Sequence, residues 1–284
     1  MEITKKVTYL DIPIINLPIK ENELDFIDIE IDNIKIDKKY KLDNELNYIF
    51  LWKFKKADIY KIKVIFKFHL LSCEKMFYIC KNISEIDLTK FDASRVTSCL
   101  YMFAYCTDLK KIRFGENDFS LVNNFSYMFL GCENLVDLDV SNFNTQNSKT
   151  FSKMFYNCHN LKSIDVSNFN SSKCESIHGM FCECHKITEI DMFNWDLSKL
   201  KWGDDDEHYY SQEENPIDFL FYACTELKKI KISGNAPKEV FHKSNLHIYS
   251  KLPSYDGEFI INKKYQSNNS FYNHFPVNWN RIYE

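Results

Sequence analysis

Phe125-Ser-Tyr-Met128-Phe129-Leu-Gly-Cys132-Glu-Asn134-Leu135-Val-Asp137-Leu138-Asp139-Val140-Ser-Asn-Phe143-Asn144 carries two hydrophobic periods in one short stretch. In its first half Phe125, Met128, Phe129 and Cys132 fall at i, i+3, i+4 and i+7, the spacing of one face of a short helical piece. In its second half Leu138 and Val140 alternate with Asp137 and Asp139, which is strand periodicity. Asn134 stands between the halves, where a helix-ending residue near the left-handed region is expected. Asn144 follows the strand, and a short side chain that bonds its own backbone suits a turn there.

The unit recurs on both sides of this stretch. Met-Phe pairs stand at Met76-Phe77, Met102-Phe103, Met128-Phe129, Met154-Phe155 and Met180-Phe181, 26 residues apart each time. A degenerate copy, Leu220-Phe221, follows after 40 residues, one period plus a 14-residue insertion. A cysteine trails each pair at the same offset: Cys80, Cys106, Cys132, Cys158, Cys184 and Cys224. Leu161, Ile164 and Val166 repeat the strand half, and Asp92, Asp118, Asn144, Asn170 and Asp196 repeat the turn position. A fixed period of this size predicts stacked repeats, because no unit can bury its apolar face alone. Stacking would place Met on Met, Phe on Phe and Cys on Cys. Each fully buried large side chain contributes about 1.5–3 kcal/mol. A right-handed coil of strand, turn and helical turn is expected, with its open ends capped.

The pattern Met-Phe-x-x-Cys-x-x-Leu-x-x-Ile-Asp-Val-Ser-Asn-Phe-Asn resembles the BspA-type leucine-rich repeats, a group once described as a domain of unknown function in mycoplasma lipoproteins. The resemblance covers roughly residues 71–233. It implies an α/β fold, a right-handed leucine-rich-repeat solenoid, with adhesion or protein-binding roles, often in surface proteins of bacteria and in large protist families. The second unit departs from the pattern: its aromatic residue is Phe119, two places late, and Asn117 stands in the usual column.

Three segments lie outside the repeat pattern. Residues 1–70 alternate, with Phe26, Ile29, Ile31, Ile34 and Ile36 against Asp28, Glu30, Asp32 and Lys35, and they read as a β-rich N-terminal cap or small domain. The run Ile62, Val64, Phe66, Phe68 is expected to join the repeat sheet as the rung before the first unit. Residues 234–284 are aromatic and irregular, with Tyr249, Phe259, Phe271 and Trp279 among them, and read as a C-terminal capping segment. The insertion at 201–215 holds Trp202, Asp204, Asp205 and Asp206. Insertions into repeat arrays emerge as loops, often on the working face. The acidic run lacks the alternating ligand spacing of a calcium loop and reads as solvated.

Composition narrows the function. Of 284 residues, 45% are apolar and 27% charged, with 36 Lys+Arg against 40 Asp+Glu, a net charge of −4. A packed core is expected, wholesale disorder is excluded, and no basic field points to nucleic acid. No leader precedes the first strand-like segment, and Lys61, Lys63, Lys67 and His69 break the longest apolar region, so no membrane span and an intracellular, cytoplasmic location are expected. There is no G-x-S-x-G, P-loop, H-E-x-x-H or Rossmann glycine set, and no nucleophile can be placed beside a base, so no enzymatic activity and no cofactor are expected. Cys73 and Cys99 are 26 residues apart and would stack on adjacent rungs at a spacing that permits a disulfide under oxidising conditions. Reduced thiols are expected inside a cell. Cys174, His178, Cys182, Cys184 and His185 cluster locally, but Cys184 belongs to the core column and Cys-x-Cys is not the spacing of a zinc knuckle. No metal site is expected.

The outward strand columns remain. They read Asp87, Arg113, Asp139, Asp165, Asp191, Lys231 and Glu85, Lys111, Asp137, Ser163, Glu189, Lys229. The expected function is a protein–protein interaction module. Its partner would contact Asp137, Asp139, Asp165, Glu189 and Asp191 together with Trp202, Asp204, Asp205 and Asp206 of the insertion. The alternatives are an architectural subunit of a larger assembly and a surface adhesin whose leader is missing from this chain. Rungs about 4.8 Å apart would set Asp139 against Asp165 at a cost of about 0.8 kcal/mol in water. On that argument Asp139→Asn is expected to be neutral or stabilising.

Overall fold

The computed structural model describes residues 1–6, 11–37, 39–42, 48–53, 58–201, 216–233, 235, 257–262, 264 and 279–284. Trp202, Asp204, Asp205 and Asp206, and most of 234–278, lie outside the described residues. The strands are β1 (Glu2–Lys6), β2 (Asp11–Leu17), β3 (Ile27–Ile31), β4 (Ile34–Lys35), β5 (Lys39–Leu42), β6 (Tyr48–Lys53), β7 (Ile59–Phe66), β8 (Ile83–Asp87), β9 (Lys111–Arg113), β10 (Glu189–Met192), β11 (Lys229–Ile232), β12 (Glu258–Ile261) and β13 (Asn280–Tyr283). They form a six-stranded sheet in the order β4-β3-β7-β1-β8-β9, a four-stranded parallel sheet β10-β11-β12-β13, and a small sheet β2-β6-β5. The third and fourth units lie between β9 and β10 and are joined by a parallel bridge from Asp137 to Ser163.

Successive units are held by a backbone ladder one period apart. Phe125, Tyr127, Phe129 and Gly131 donate their amides to the carbonyls of Thr150, Ser152, Met154 and Tyr156. Cys99, Tyr101, Phe103 and Tyr105 do the same to the unit that follows theirs. The amides in between turn back three residues, as in Met128 to Phe125, Leu130 to Tyr127 and Cys132 to Phe129. The half expected to be a helical piece is therefore a chain of tight turns. The reason is hydrogen-bond supply: a helix keeps its amides for itself, whereas here every second one is spent on the neighbouring unit. The turns place residues in the left-handed region twice per unit, including Tyr127 at φ 59°, Gly131 at 67°, Asn157 at 58° and Glu183 at 59°. Only some of these positions carry glycine, so the ladder outweighs a backbone cost of roughly 1–2 kcal/mol at each non-glycine residue.

Side chains follow the same period. The rings of Phe77, Phe103, Phe129, Phe155, Phe181 and Phe221 stack in sequence at centroid distances of 5.3, 5.4, 5.6, 5.6 and 6.1 Å. Leu220-Phe221 thus continues the column across the insertion. Met76, Met102, Met128, Met154 and Met180 are fully buried beside them. Each column cysteine donates its thiol to the phenylalanine carbonyl of the unit before: Cys106 to Phe77 at 3.0 Å, Cys132 to Phe103 at 3.2 Å, Cys158 to Phe129 at 3.2 Å, Cys184 to Phe155 at 3.1 Å and Cys224 to Phe181 at 3.0 Å. A small apolar side chain with one weak donor fits that place. The second aromatic column tolerates polar atoms by the same device. Asn117 Nδ2 donates to Leu88 O at 2.8 Å and Trp195 Nε1 to Val166 O at 2.9 Å, each 29 residues back. Phe119 still reaches the core and packs on Phe143 at 4.7 Å.

The N-terminal residues close the open end. The first unit has no preceding unit to bond its carbonyls, and Asn16 of β2 supplies the donors: its amide reaches Met76 O at 2.8 Å, and its Nδ2 reaches Lys75 O and Tyr78 O at 3.4 Å each. The Cys80 thiol, with no earlier phenylalanine to meet, lies 3.9 Å from Ile14 O. On the sheet side β1 runs antiparallel between β7 and β8. The strand next to the first unit is therefore β1, with the Ile62-to-Phe66 run one place further out. Residues 2–6 are the shorter segment, yet the buried Ile3 and Lys5 fit directly over the first unit. At the other end β12 and β13 extend the parallel sheet, with Trp279 buried against Gly257.

Candidate functional site

The outward columns lie where alternation puts them, on the solvent side of a buried row. Asp137, Asp139, Asp165 and Glu189 are exposed and Asp191 is half-buried, while Leu138, Val140, Ile164, Val166 and Ile190 between them are buried. Outside this centre several charges pair across rungs. Arg113 Nε lies 3.0 Å from Asp87, Lys231 Nζ 3.3 Å from Asp191, and Lys229 Nζ 3.6 Å from Glu258. The N-terminal strands continue the pattern with Lys63 to Glu30 at 3.2 Å and Lys67 to Asp28 at 2.8 Å. Asp28 is consequently held down to about 2 by its hydrogen bonds to Lys35 and Lys67. Among the described residues, Asp137, Asp139, Asp165 and Glu189 form no ion pair. A groove of about 550 Å³ opens beside Asp137 and Asp139, lined also by Lys111, Arg113, Phe114 and Phe143. Its lining holds both basic and acidic groups.

The acidic column is anchored locally. Asp139 Oδ1 accepts the Ser141 amide at 3.0 Å and the Ser141 hydroxyl at 2.6 Å. Asp165 accepts the same pair from Ser167 at 3.0 and 2.6 Å. These bonds hold both carboxyls below the usual carboxylate range, and the repulsion of Asp139 on Asp165 is the weakest contribution to the latter. The expectation that Asp139→Asn is neutral or stabilising weighed only that repulsion. With two donors aimed at the charged oxygen, Asp139→Asn is expected to lower stability slightly at neutral pH, by less than about 1 kcal/mol at so exposed a site. The sign with pH follows from the depressed value. Stability from these groups is present above the unfolded carboxyl pKa near 4 and is lost as pH falls through the folded value. Thermal unfolding at pH 5 and at pH 3 should therefore show a larger drop for the wild type than for Asp139→Asn/Asp165→Asn.

The other sites weighed from sequence separate cleanly. All ten cysteines are buried free thiols, Cys73 and Cys99 included. Burial pushes the column thiols up, and it pushes Cys174 and Cys182 up to about 12. Protonated, enclosed thiols are poor nucleophiles and poor metal ligands. Cys174, His178, Cys182, Cys184 and His185 do not converge as a set: the Cys184 thiol is committed to Phe155 O. A different group does converge, His159, Glu183 and His185. Sequence spacing alone concealed it, because His159 and His185 are one period apart and meet only when the units stack. Among the described residues no helix is long and apolar enough to cross a membrane.

Against known proteins, no curated protein and no solved structure matches the chain. Residues 71–195, the stretch that holds the first five units, match the family described as a Mycoplasma protein of unknown function, DUF285.

Proposed function

We propose that the stacked units form a leucine-rich-repeat solenoid of BspA type that serves as a non-enzymatic protein-binding module, with the sheet face as its contact surface. The observation that carries this reading is the acidic centre: Asp137, Asp139, Asp165 and Glu189 have no ion pair among the described residues, while on the flanking rungs Arg113 pairs with Asp87, Lys229 with Glu258 and Lys231 with Asp191. Leaving adjacent like charges exposed costs stability, and a basic segment of a partner would relieve that cost while gaining orientation from the flanking rungs. The rigid backing of the stacked core favours such a role, since a preorganised surface loses little entropy on binding.

The test is affinity capture by the full chain at low and high salt, alongside Asp137→Lys/Asp139→Lys/Asp165→Lys. The expected result is a partner whose capture weakens with salt and falls at least about tenfold with the triple variant, as loss of interfacial charge pairs predicts. Equal capture by a variant that melts as the wild type does would overturn the reading. Deleting 201–215 in parallel asks whether the insertion contributes. An architectural role is favoured by a separate feature, the open edge of β13, which has a strand neighbour on one side only among the described residues. Concentration-dependent self-association through that edge would support it.

A further inference from the structure

We propose that His159, Glu183 and His185 bind a divalent first-row transition metal, zinc foremost, and that the ion staples the fourth unit to the fifth. One ligand atom from each residue lies within 4.8 Å of the other two. His159 Nε2 is 3.7 Å from Glu183 Oε2, and the two imidazoles stack at 4.7 Å with 14° between their planes. His185 Nδ1 is 2.8 Å from Ala223 O. A carbonyl oxygen can only accept, so Nδ1 carries the hydrogen and Nε2 keeps its lone pair for a metal. A backbone carbonyl that accepts from the far ring nitrogen and so fixes the tautomer is the usual companion of a metal-ligating histidine.

Two further observations point to a ligand. His159 Nε2 is enclosed and has no hydrogen-bond partner. An enclosed polar atom without a partner is costly, and a cation shared with Glu183 is one way to satisfy this nitrogen. The position is also singular in the array. The corresponding residues of the other units are Lys81, Thr107, Glu133 and Thr225, so two imidazoles meet only between the fourth and fifth units. Two imidazole nitrogens and a carboxylate oxygen suit zinc, with metal–ligand distances of about 2.0–2.2 Å, and they leave a fourth position for water or a partner's side chain. On binding, side-chain rotation would bring the three atoms to those distances. With side-chain exposures of 34% for His159 and 32% for Glu183, an ion has a path in.

The experiment titrates Zn²⁺ into the full chain by calorimetry and follows thermal unfolding with Zn²⁺ and with chelator. One equivalent should bind and raise the unfolding temperature. Substitutions taken from the array itself keep the backbone compatible: His159→Thr and His185→Thr copy Thr107 and Thr225, and Glu183→Ala copies Ala223. Each should weaken binding by at least about tenfold, whereas His69→Gln, on a distant rung, should leave it unchanged. Co²⁺ supplies an independent reading on the unaltered chain: a ligand-field spectrum without thiolate-to-metal charge transfer supports the site. Unchanged affinity in the His159→Thr chain, a thiolate charge-transfer band, or no Zn²⁺ binding by the wild type would each overturn the proposal.

Discussion

Met128→Asp is expected to abolish the cooperative unfolding transition of the repeat array. Met128 is fully buried, its carbonyl accepts the Phe103 amide at 2.8 Å, and its neighbour Phe129 is stacked on both sides. Among the described residues the buried lysine, Lys5, stands over the first unit and not the third, and a buried charge without its partner costs about 3–5 kcal/mol. That is a large share of the roughly 5–15 kcal/mol that holds a domain folded. Because each unit is stabilised mainly by its neighbours, a fault in the third of six units removes the interfaces on both of its sides. Urea unfolding followed by circular dichroism would show either no folded baseline or a midpoint far below wild type. A midpoint within error of wild type would mean that Met128 does not face the core.

Trp195→Ala should cost about 3–5 kcal/mol, and Trp195→Phe about 1–2 kcal/mol. The indole is fully buried, packs on Phe151 at 5.5 Å and Phe169 at 5.9 Å, and donates Nε1–H to Val166 O at 2.9 Å. Alanine leaves a cavity where two rings lose a neighbour. Phenylalanine keeps most of the contact and forfeits the hydrogen bond; Val166 O keeps the Phe169 amide, which limits the loss. Denaturant midpoints of the two variants separate these contributions. Equal losses would place the whole effect in the hydrogen bond, contrary to the packing.

The two chemistries proposed for this chain sit on different residues and fail separately. The acidic centre of the sheet face rests on Asp137, Asp139, Asp165 and Glu189, whereas the metal site rests on the turn-side residues His159, Glu183 and His185. A chain that binds zinc and loses no partner on Asp→Lys substitution would retain the second proposal alone.

The 26-residue period of Met, Phe and Cys was sufficient, by itself, to predict which side chains pile into columns, because identical units that cannot bury their faces alone have one economical arrangement. The outward position of Asp139 and Asp165 followed from strand alternation for the same reason. Tertiary structure decided what depends on neighbours remote in sequence. The turn-rich half could not be told from a helix, since i, i+3, i+4 spacing reports which residues are buried and is silent on where alternate amides are bonded. Asn16 completing the first unit, β1 displacing β7 from the place beside it, and Ser141 and Ser167 outweighing the repulsion within the acidic column are likewise matters of contact. So is the meeting of His159 with His185: residues one period apart become neighbours only through stacking, and only stacking brings Ala223 O to the ring that fixes the tautomer.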